Sequence, residues 1–413
     1  MLFPMANQIL SMVLLGVGSV VWVEIIRDLY HALAHVWAPV YRLHSWHHRV
    51  FRRDLTPVNM EIYRQAHWYN DVPEAIVMLT ASFLPPLLAY WCKFDYAWIA
   101  LLGTLYTSSF LATAIARGLG IPRADELTDL THRPGPFEAI PGNWFVNRSY
   151  HWKHHFDDQD AYFCGTLTLV DRLIGTAVSL KGKKVAITGA SGALGRALMK
   201  ELYLAGAKPI ALTSSESNIS LDIKGKVIDF ETIHWKIGQE SEIAAILAKS
   251  DILILNHGLN VYQSRNAQAI ESSYEVNTFS SWRLMELFLE TVKTNRDIAC
   301  KELWVNTSEA EVNPAFSPLY ELSKRATGDL VTLRRLDTPC IVRKLILGPF
   351  KSNLNPIGIM SANWVAKSIV GLARRDFRNI IITINPLTYV LFPIKEFLVS
   401  NYFRLTSRVK SIA

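Results

Sequence analysis

Apolar and polar positions divide the chain into two halves with different periods. Met1 to Val23, Ala75 to Cys92 and Tyr96 to Ala116 contain no charged side chain. About 20 apolar residues cross a hydrocarbon core, so the pattern predicts spans near 3-23, 75-92 and 96-116. The last two are parted only by Lys93, Phe94 and Asp95, which reads as a transmembrane hairpin whose first arm Pro85 and Pro86 should kink. From Lys181 onward, strand-length apolar runs alternate with amphipathic helical stretches, the signature of an α/β protein with a parallel sheet. The expected fold is multi-domain: an all-α membrane domain over 1-175, a linker over 176-184, an α/β Rossmann domain over 185-385 and an apolar tail over 386-413. The tail is expected to lie on a membrane, close a pocket or pack on the sheet.

Charge refines this picture. The chain has 413 residues and a formal charge of +7, and Arg42, Arg49, Arg52, Arg53, Arg64, Arg117, Arg123 and Arg133 flank the apolar runs. Such a bias marks the cytoplasmic side of a multi-pass membrane protein, with both catalytic halves facing the cytoplasm. No nucleic-acid-binding motif accompanies the basic residues, so no nucleic acid partner is expected. Cys92, Cys164, Cys300 and Cys340 form no CxxC pair and predict no disulfide framework. The first apolar run lacks a basic leader and a small-residue cleavage site, and is read as a retained span.

Histidine is distributed unevenly. Ten of the 12 histidines precede residue 156, eight of them in HALAH (31-35), HSWHH (44-48) and HWKHH (151-155). On helices, each group sets its imidazoles on one side. Imidazole suits iron, zinc, copper or nickel, and eight such ligands exceed the four of one tetrahedral zinc, so two ions are the simpler account. The hairpin returns the chain to the side it left, which lets the three groups meet. His132, in THRPG, is a further candidate ligand and His67, in RQAHWYND, a lesser one, whereas His234 and His257 read as ordinary structural residues. Asp28, Asp71, Asp157, Asp158 and Asp160 are candidates to orient ligand rings.

This set of HxxxH, HxxHH and distal HxxHH resembles the fatty acid hydroxylase/sterol desaturase superfamily over about residues 1-175. The resemblance implies two non-haem Fe ions held by His31, His35, His44, His47, His48, His151, His154 and His155, with His132 as the additional ligand. It also implies O2, a membrane lipid substrate and an electron donor such as ferredoxin or a cytochrome b5-type protein, with hydroxylation or desaturation as the reaction. Sterol, carotenoid, sphingolipid and fatty acyl groups are all open as the lipid.

In the second half, KKVAITGASGALGRALMKELYLAGAKPIALTSS reads as strand, glycine turn, helix and strand. Thr188, Gly189, Ser191, Gly192 and Gly195 form the turn that brings backbone amides and a helix N-terminus to a pyrophosphate. Together with DILILNHG, the EVN ending at Asn277, LWVNTSEAE and YELSK, this order resembles the short-chain dehydrogenase/reductase family over about residues 182-385. The resemblance assigns Tyr320 as acid/base, Lys324 as its charge partner, Ser308 (or Thr307) as donor to the substrate oxygen and Asn277 to a proton relay. Asn256, Gly258 and Ser352 would line the cofactor pocket, and Ser214, where an acidic residue would select NAD, leans the choice towards NADP.

The whole resembles the fused bifunctional sterol desaturase/short-chain dehydrogenase proteins, a membrane oxidoreductase with a di-iron half and an NAD(P)-dependent alcohol/ketone half. Two alternatives stand beside it: a membrane-anchored reductase with a non-catalytic histidine-rich half, and a metal- or nucleotide-sensing membrane protein.

Overall fold

The computed structural model describes residues 2-125 and 130-408, with side chains from residue 7 on. The last five residues of the expected tail therefore lie outside the described part. The chain divides into two compact units, Met1–Ser179 and Leu180–Ala413.

The first unit is all-helical. Among the described residues, three stretches are long and apolar enough to cross a membrane: Asn7–Val36, Met60–Trp91 and Ala97–Gly118. Two of the expected apolar runs belong to longer helices. The first helix does not stop near 23 but runs unbroken over Leu2–Val36, passing through Glu24, Arg27 and Asp28. These charges are tolerated because they are paired in the interior: Arg27 bonds Glu24 and Thr166, and the Tyr106 hydroxyl donates to Glu24 at 2.5 Å. The 75-92 run is only the end of a longer arm. It begins at Met60–Ala66, passes through a π-helical turn at His67–Asp71 and continues as Val72–Ser82. At Phe83 it re-starts as Leu84–Trp91, with Pro85 and Pro86 in the first turn, where proline costs no hydrogen bond. Small residues allow close helix approach: the Gly103 amide donates to Ser19 Oγ at 3.0 Å, and a Cβ on Gly103 would meet the Ser19 carbonyl oxygen at 2.6 Å.

Two short helices complete the histidine-bearing part. Ala38–Val50 starts after the extended Trp37, and Arg148–Phe156 is capped by Asn147, whose side chain accepts from the Tyr150 amide. Trp152, on the second of these, is buried and donates to the Arg53 carbonyl at 2.8 Å, so it is a core residue.

The second unit is a parallel sheet flanked by helices. Its strands are β1 (Lys184–Thr188), β2 (Lys208–Thr213), β3 (Ser220–Ile223), β4 (Lys226–Asp229), β5 (Glu231–His234), β6 (Ile252–Leu255), β7 (Glu302–Ser308), β8 (Ile341–Leu347) and β9 (Asn379–Ile382). Seven make one sheet in the order β5-β2-β1-β6-β7-β8-β9, and β3 with β4 is a separate hairpin. The order reverses between β1 and β6, and ligands of such sheets bind beyond the strand ends at that switch. β6 and β8 are buried along their whole length, as strands covered on both faces must be. The tail is not loose. Its helix Pro386–Thr406 packs on this unit through Thr388, Phe392 and Glu396.

Candidate functional site

The histidines converge. His31 and His35 sit near the end of the first long helix, His44, His47 and His48 on Ala38–Val50, and His151, His154 and His155 on Arg148–Phe156. His31, His35, His44, His48 and His154 form one nest and His47, His132, His151 and His155 a second, with the nitrogens of each nest within 4.8 Å of one another. In the first nest, His31 Nε2 lies 3.0 Å from His44 Nε2 and 2.9 Å from His154 Nε2, and His48 Nε2 lies 3.0 Å from His44 Nε2 and 3.4 Å from His35 Nε2. In the second, the Nε2 atoms of His132, His151 and His155 are mutually 3.0, 3.1 and 3.2 Å apart. Metal–imidazole bonds of about 2.1 Å place neighbouring ligands about 3.0 to 3.4 Å apart around one ion, so the spacing suits a shared ion in each nest. All nine residues expected as ligands, His132 included, are thus gathered. His132, isolated in sequence, is held by stacking on Phe51 at 4.3 Å.

The outward nitrogens explain the inward ones. His31 Nδ1 donates to the Phe163 carbonyl at 2.6 Å, His154 Nδ1 to the Ala161 carbonyl at 2.8 Å and His44 Nδ1 to Asn70 Oδ1 at 2.8 Å. A proton fixed on Nδ1 leaves Nε2 as the lone pair. Burial, with the charges of neighbouring imidazoles, pushes His47, His48, His154 and His155 well below the ordinary value and brings His44 down to about 4. These rings are therefore neutral, the form that binds metal. An all-nitrogen donor set of this size fits iron and other transition ions and does not suit magnesium or calcium, which take oxygen ligands.

Two supporting groups, Asn70 and Asp171, were not legible as such. Asn70 lies in the π-helical turn and donates to Asp71 at 2.8 Å, so Asp71 reaches His44 only through it. Asp71 also accepts from His67 at 2.6 Å, which makes His67 a buried outer residue beside the cluster. Asp171, fully buried, accepts from the amides of Phe163 and Cys164 and the hydroxyls of Tyr150 and Thr176. It thereby fixes the loop whose carbonyls hold His31 and His154.

The second site lies at the β1/β6 end of the sheet. Gly189 adopts φ +62°, and a Cβ on Gly195 would stand 2.3 Å from the Gly189 carbonyl oxygen, so the turn is closed onto the helix Ala193–Leu204 that Gly192 begins. Thr188 Oγ1 accepts from the Asn256 amide at 2.9 Å, and Asn256 Oδ1 accepts from Asn306 at 3.0 Å. At the end of β2, Thr213 donates to Ser191 Oγ at 3.0 Å and accepts from the Ser215 amide, while Ser214 is exposed. Ser352 lies in a turn in which it exchanges backbone bonds with Asn355.

Ser308, at the end of β7, stands near enough to the Tyr320 phenol to favour its phenolate, whereas Thr307 donates to the Leu345 carbonyl inside the sheet. Ser308 is thus the donor the geometry offers. Tyr320 and Lys324 share the helix Pro318–Arg334, and Lys324 Nζ donates to the Asn306 carbonyl at 3.0 Å and stands 6.0 Å from the Tyr320 ring. Asn277, in another π-helical turn, donates to Ser323 and to the Leu259 carbonyl, both at 2.9 Å, and its Oδ1 takes the Leu259 amide. Gly258 leaves room there, since a Cβ would approach Asn277 Oδ1 to 3.2 Å. Burial pushes Tyr320 up and brings Lys324 down to about 8. Desolvation alone therefore opposes a phenolate, and the opposing positive charge must come from Lys324 and its surroundings.

Comparison with known proteins agrees with this division. The family described as short chain dehydrogenase matches residues 183–338. The monoglucosyldiacylglycerol epimerase of Synechocystis sp. is 64% identical over 394 residues, covering 94% of this chain and 96% of that protein. Among solved structures, a short chain dehydrogenase from Burkholderia cenocepacia in complex with NADP is 16% identical, with a TM-score of 0.45, over 56% of this chain and 100% of the other. One from Leptospira borgpetersenii with bound NAD+ is 20% identical, with a TM-score of 0.41, over 49% and 91%.

Proposed function

The chain belongs to the family of the Synechocystis monoglucosyldiacylglycerol epimerase, and from that membership we propose that its dehydrogenase half inverts one hydroxyl-bearing carbon of a diacylglycerol-linked glucose. NADP or NAD, which Gly189, Ser191, Gly192 and Gly195 would hold, would supply reversible hydride transfer at that carbon. Tyr320 takes the hydroxyl proton as the alcohol becomes a ketone and returns it on reduction, while Ser308 donates to the same oxygen. Lys324 and Asn277 hold the charge and the relay behind the phenol. Hydride return to the opposite face leaves no net oxidation, so neither O2 nor an electron donor is consumed. The observation that carries this reading is the gathering of Ser308, Tyr320, Lys324 and Asn277 at the end of a dehydrogenase sheet.

The test incubates the full chain in vesicles with monoglucosyldiacylglycerol and NADP and resolves the sugar epimers by NMR. Epimer formation that Tyr320→Phe lowers by at least about 100-fold is expected. Unaltered lipid with the wild type, or full activity in the variant, overturns the reading.

The two imidazole nests support a second activity. Here the histidine half holds two Fe ions and carries out O2-dependent hydroxylation or desaturation of a membrane lipid, fed by ferredoxin or a cytochrome b5-type donor. Iron in such a site supplies O2 activation. This chain's own part is to present nine neutral imidazoles whose tautomers Phe163, Ala161 and Asn70 fix. Both halves are read as facing the cytoplasm. Metal analysis of the purified protein tests it: two equivalents of iron are expected, and a site filled with zinc and inert to O2 overturns it.

A further inference from the structure

The C-terminal helix Pro386–Thr406 carries two opposed faces. One is locked to the sheet by charges. Lys344, on β8 and fully buried, donates to Glu311 at 3.0 Å, to Glu396 at 2.9 Å and to Thr332 at 3.1 Å, and Arg335 donates to Glu396 at 3.0 Å. Asn313 donates to Thr388 at 2.8 Å at the start of the helix. A buried ion network with this many partners tolerates little rotation, since turning the helix would pull Glu396 away from both Lys344 and Arg335.

The other face is apolar and exposed. Leu387, Leu391, Ile394, Leu398, Tyr402 and Leu405 follow one another at steps of three or four, so they form one stripe along a helix about 31 Å long. The sole acidic residue of the helix, Glu396, is turned inward, and the exposed charges at its far end are Arg404 and Arg408.

Through Asn313 the start of this helix is tied to the segment that leads into the dehydrogenase site. Just after Asn313, Phe316 stands 93% exposed, and Ile357 stands 90% exposed. The loops that bear them are tied together: Ser317 donates to Asn260 at 2.7 Å, Asn260 donates to the Leu354 carbonyl at 3.2 Å, and the Tyr262 hydroxyl donates to the Asn353 carbonyl at 3.2 Å. Tyr320 lies four residues beyond Phe316 in the same segment.

We propose that the C-terminal helix and these loops form one surface that lies in the headgroup layer of an anionic lipid bilayer and delivers a lipid-borne sugar to Tyr320. An exposed apolar face that ends in two arginines, on a helix with no exposed acid, is what acyl chains and negative headgroups need of an in-plane helix. A second protein would be expected to meet the stripe with matching acidic or hydrogen-bonding groups, and the stripe offers such a partner few polar contacts of its own. The surface deepens the epimerase reading, because a diacylglycerol-linked sugar never leaves the bilayer, and it rests on that reading only for the identity of the lipid.

The test uses the full chain in phosphatidylglycerol-containing vesicles. In a Cys92→Ser background, Ile394→Cys and Leu398→Cys are labelled with an environment-sensitive fluorophore, with Lys226→Cys on the β3–β4 hairpin as control. Brominated lipids are expected to quench the first two at least about twofold and to leave the third unchanged. Absence of quenching at 394 and 398 overturns the proposal, including when the fluorophore is shielded, since that would mean that protein covers the stripe. A second variant, Ile394→Glu with Leu398→Glu, is expected to raise KM for vesicle-borne monoglucosyldiacylglycerol about tenfold while kcat and NADP affinity hold. An unchanged KM contradicts delivery. If the wild type epimerises nothing, the epimerase reading fails, while the quenching result still decides the lipid contact.

Discussion

Asn70 receives the Nδ1–H of His44 at 2.8 Å and passes the contact on to Asp71, so a side chain in a π-helical turn sets the tautomer of an imidazole on a different helix. Replacing it with leucine leaves a buried His44 N–H without an acceptor, at a cost of about 1–3 kcal/mol. Asn70→Leu is expected to lower metal affinity about 10- to 100-fold, read as metal content after graded chelation. Asn70→Asp keeps the acceptor and should restore most of it.

Lys324 titrates at about 8 and has to be an ammonium to support the Tyr320 phenolate. Deprotonation removes the supporting charge, so turnover should fall about tenfold per pH unit once the pH passes about 8. Lys324→Arg stays charged throughout that range and should lift the alkaline limb even if it lowers the maximal rate. A pH–rate profile of both proteins checks this.

Cofactor choice turns on Ser214, exposed where β2 ends and where an acidic side chain would select NAD. Ser214→Asp places a negative charge beside the ribose and is expected to weaken NADP binding at least about tenfold, about 1.4 kcal/mol. Binding of NAD should change little. Titration of both nucleotides by quenching of intrinsic fluorescence measures the ratio.

Two glycines should respond in opposite ways. Gly195→Ala drives a Cβ against the Gly189 carbonyl oxygen, at 2.3 Å, and should destabilise the dehydrogenase half by about 1–3 kcal/mol and abolish nucleotide binding. Gly371, inside the helix Ala362–Arg374, has nothing within 4 Å of the same added atom. Gly371→Ala should stabilise by about 0.5–1 kcal/mol. Thermal unfolding of the two variants tests the contrast.

What the sequence disclosed follows from how far each signal reaches. HALAH, HSWHH, HWKHH, the glycine turn and the Tyr320–Lys324 spacing are local patterns, and local patterns survive as written. His132 carried no helical partner in sequence, because its place comes from stacking on Phe51, 81 residues away by subtraction of their numbers. The Ala161 and Phe163 carbonyls left no trace at all, since any residue has a carbonyl and only Asp171 aims these two. That the first helix runs on past Val23 was not legible, because Glu24, Arg27 and Asp28 look like its end until their pairing is known. The epimerase activity of the relative likewise has no local signature, as an alcohol dehydrogenase and a redox-neutral epimerase ask for the same tyrosine and lysine.

The unbroken first helix has a consequence of its own. At 1.5 Å per residue its 35 residues extend about 52 Å, well beyond the roughly 30 Å of a hydrocarbon layer. His31 and His35 therefore ride on the end of a rigid rod with no joint to absorb an error in phase. One residue inserted between Val23 and His31 would swing both rings about 100° around the axis, dismantling one nest while leaving every histidine in the chain.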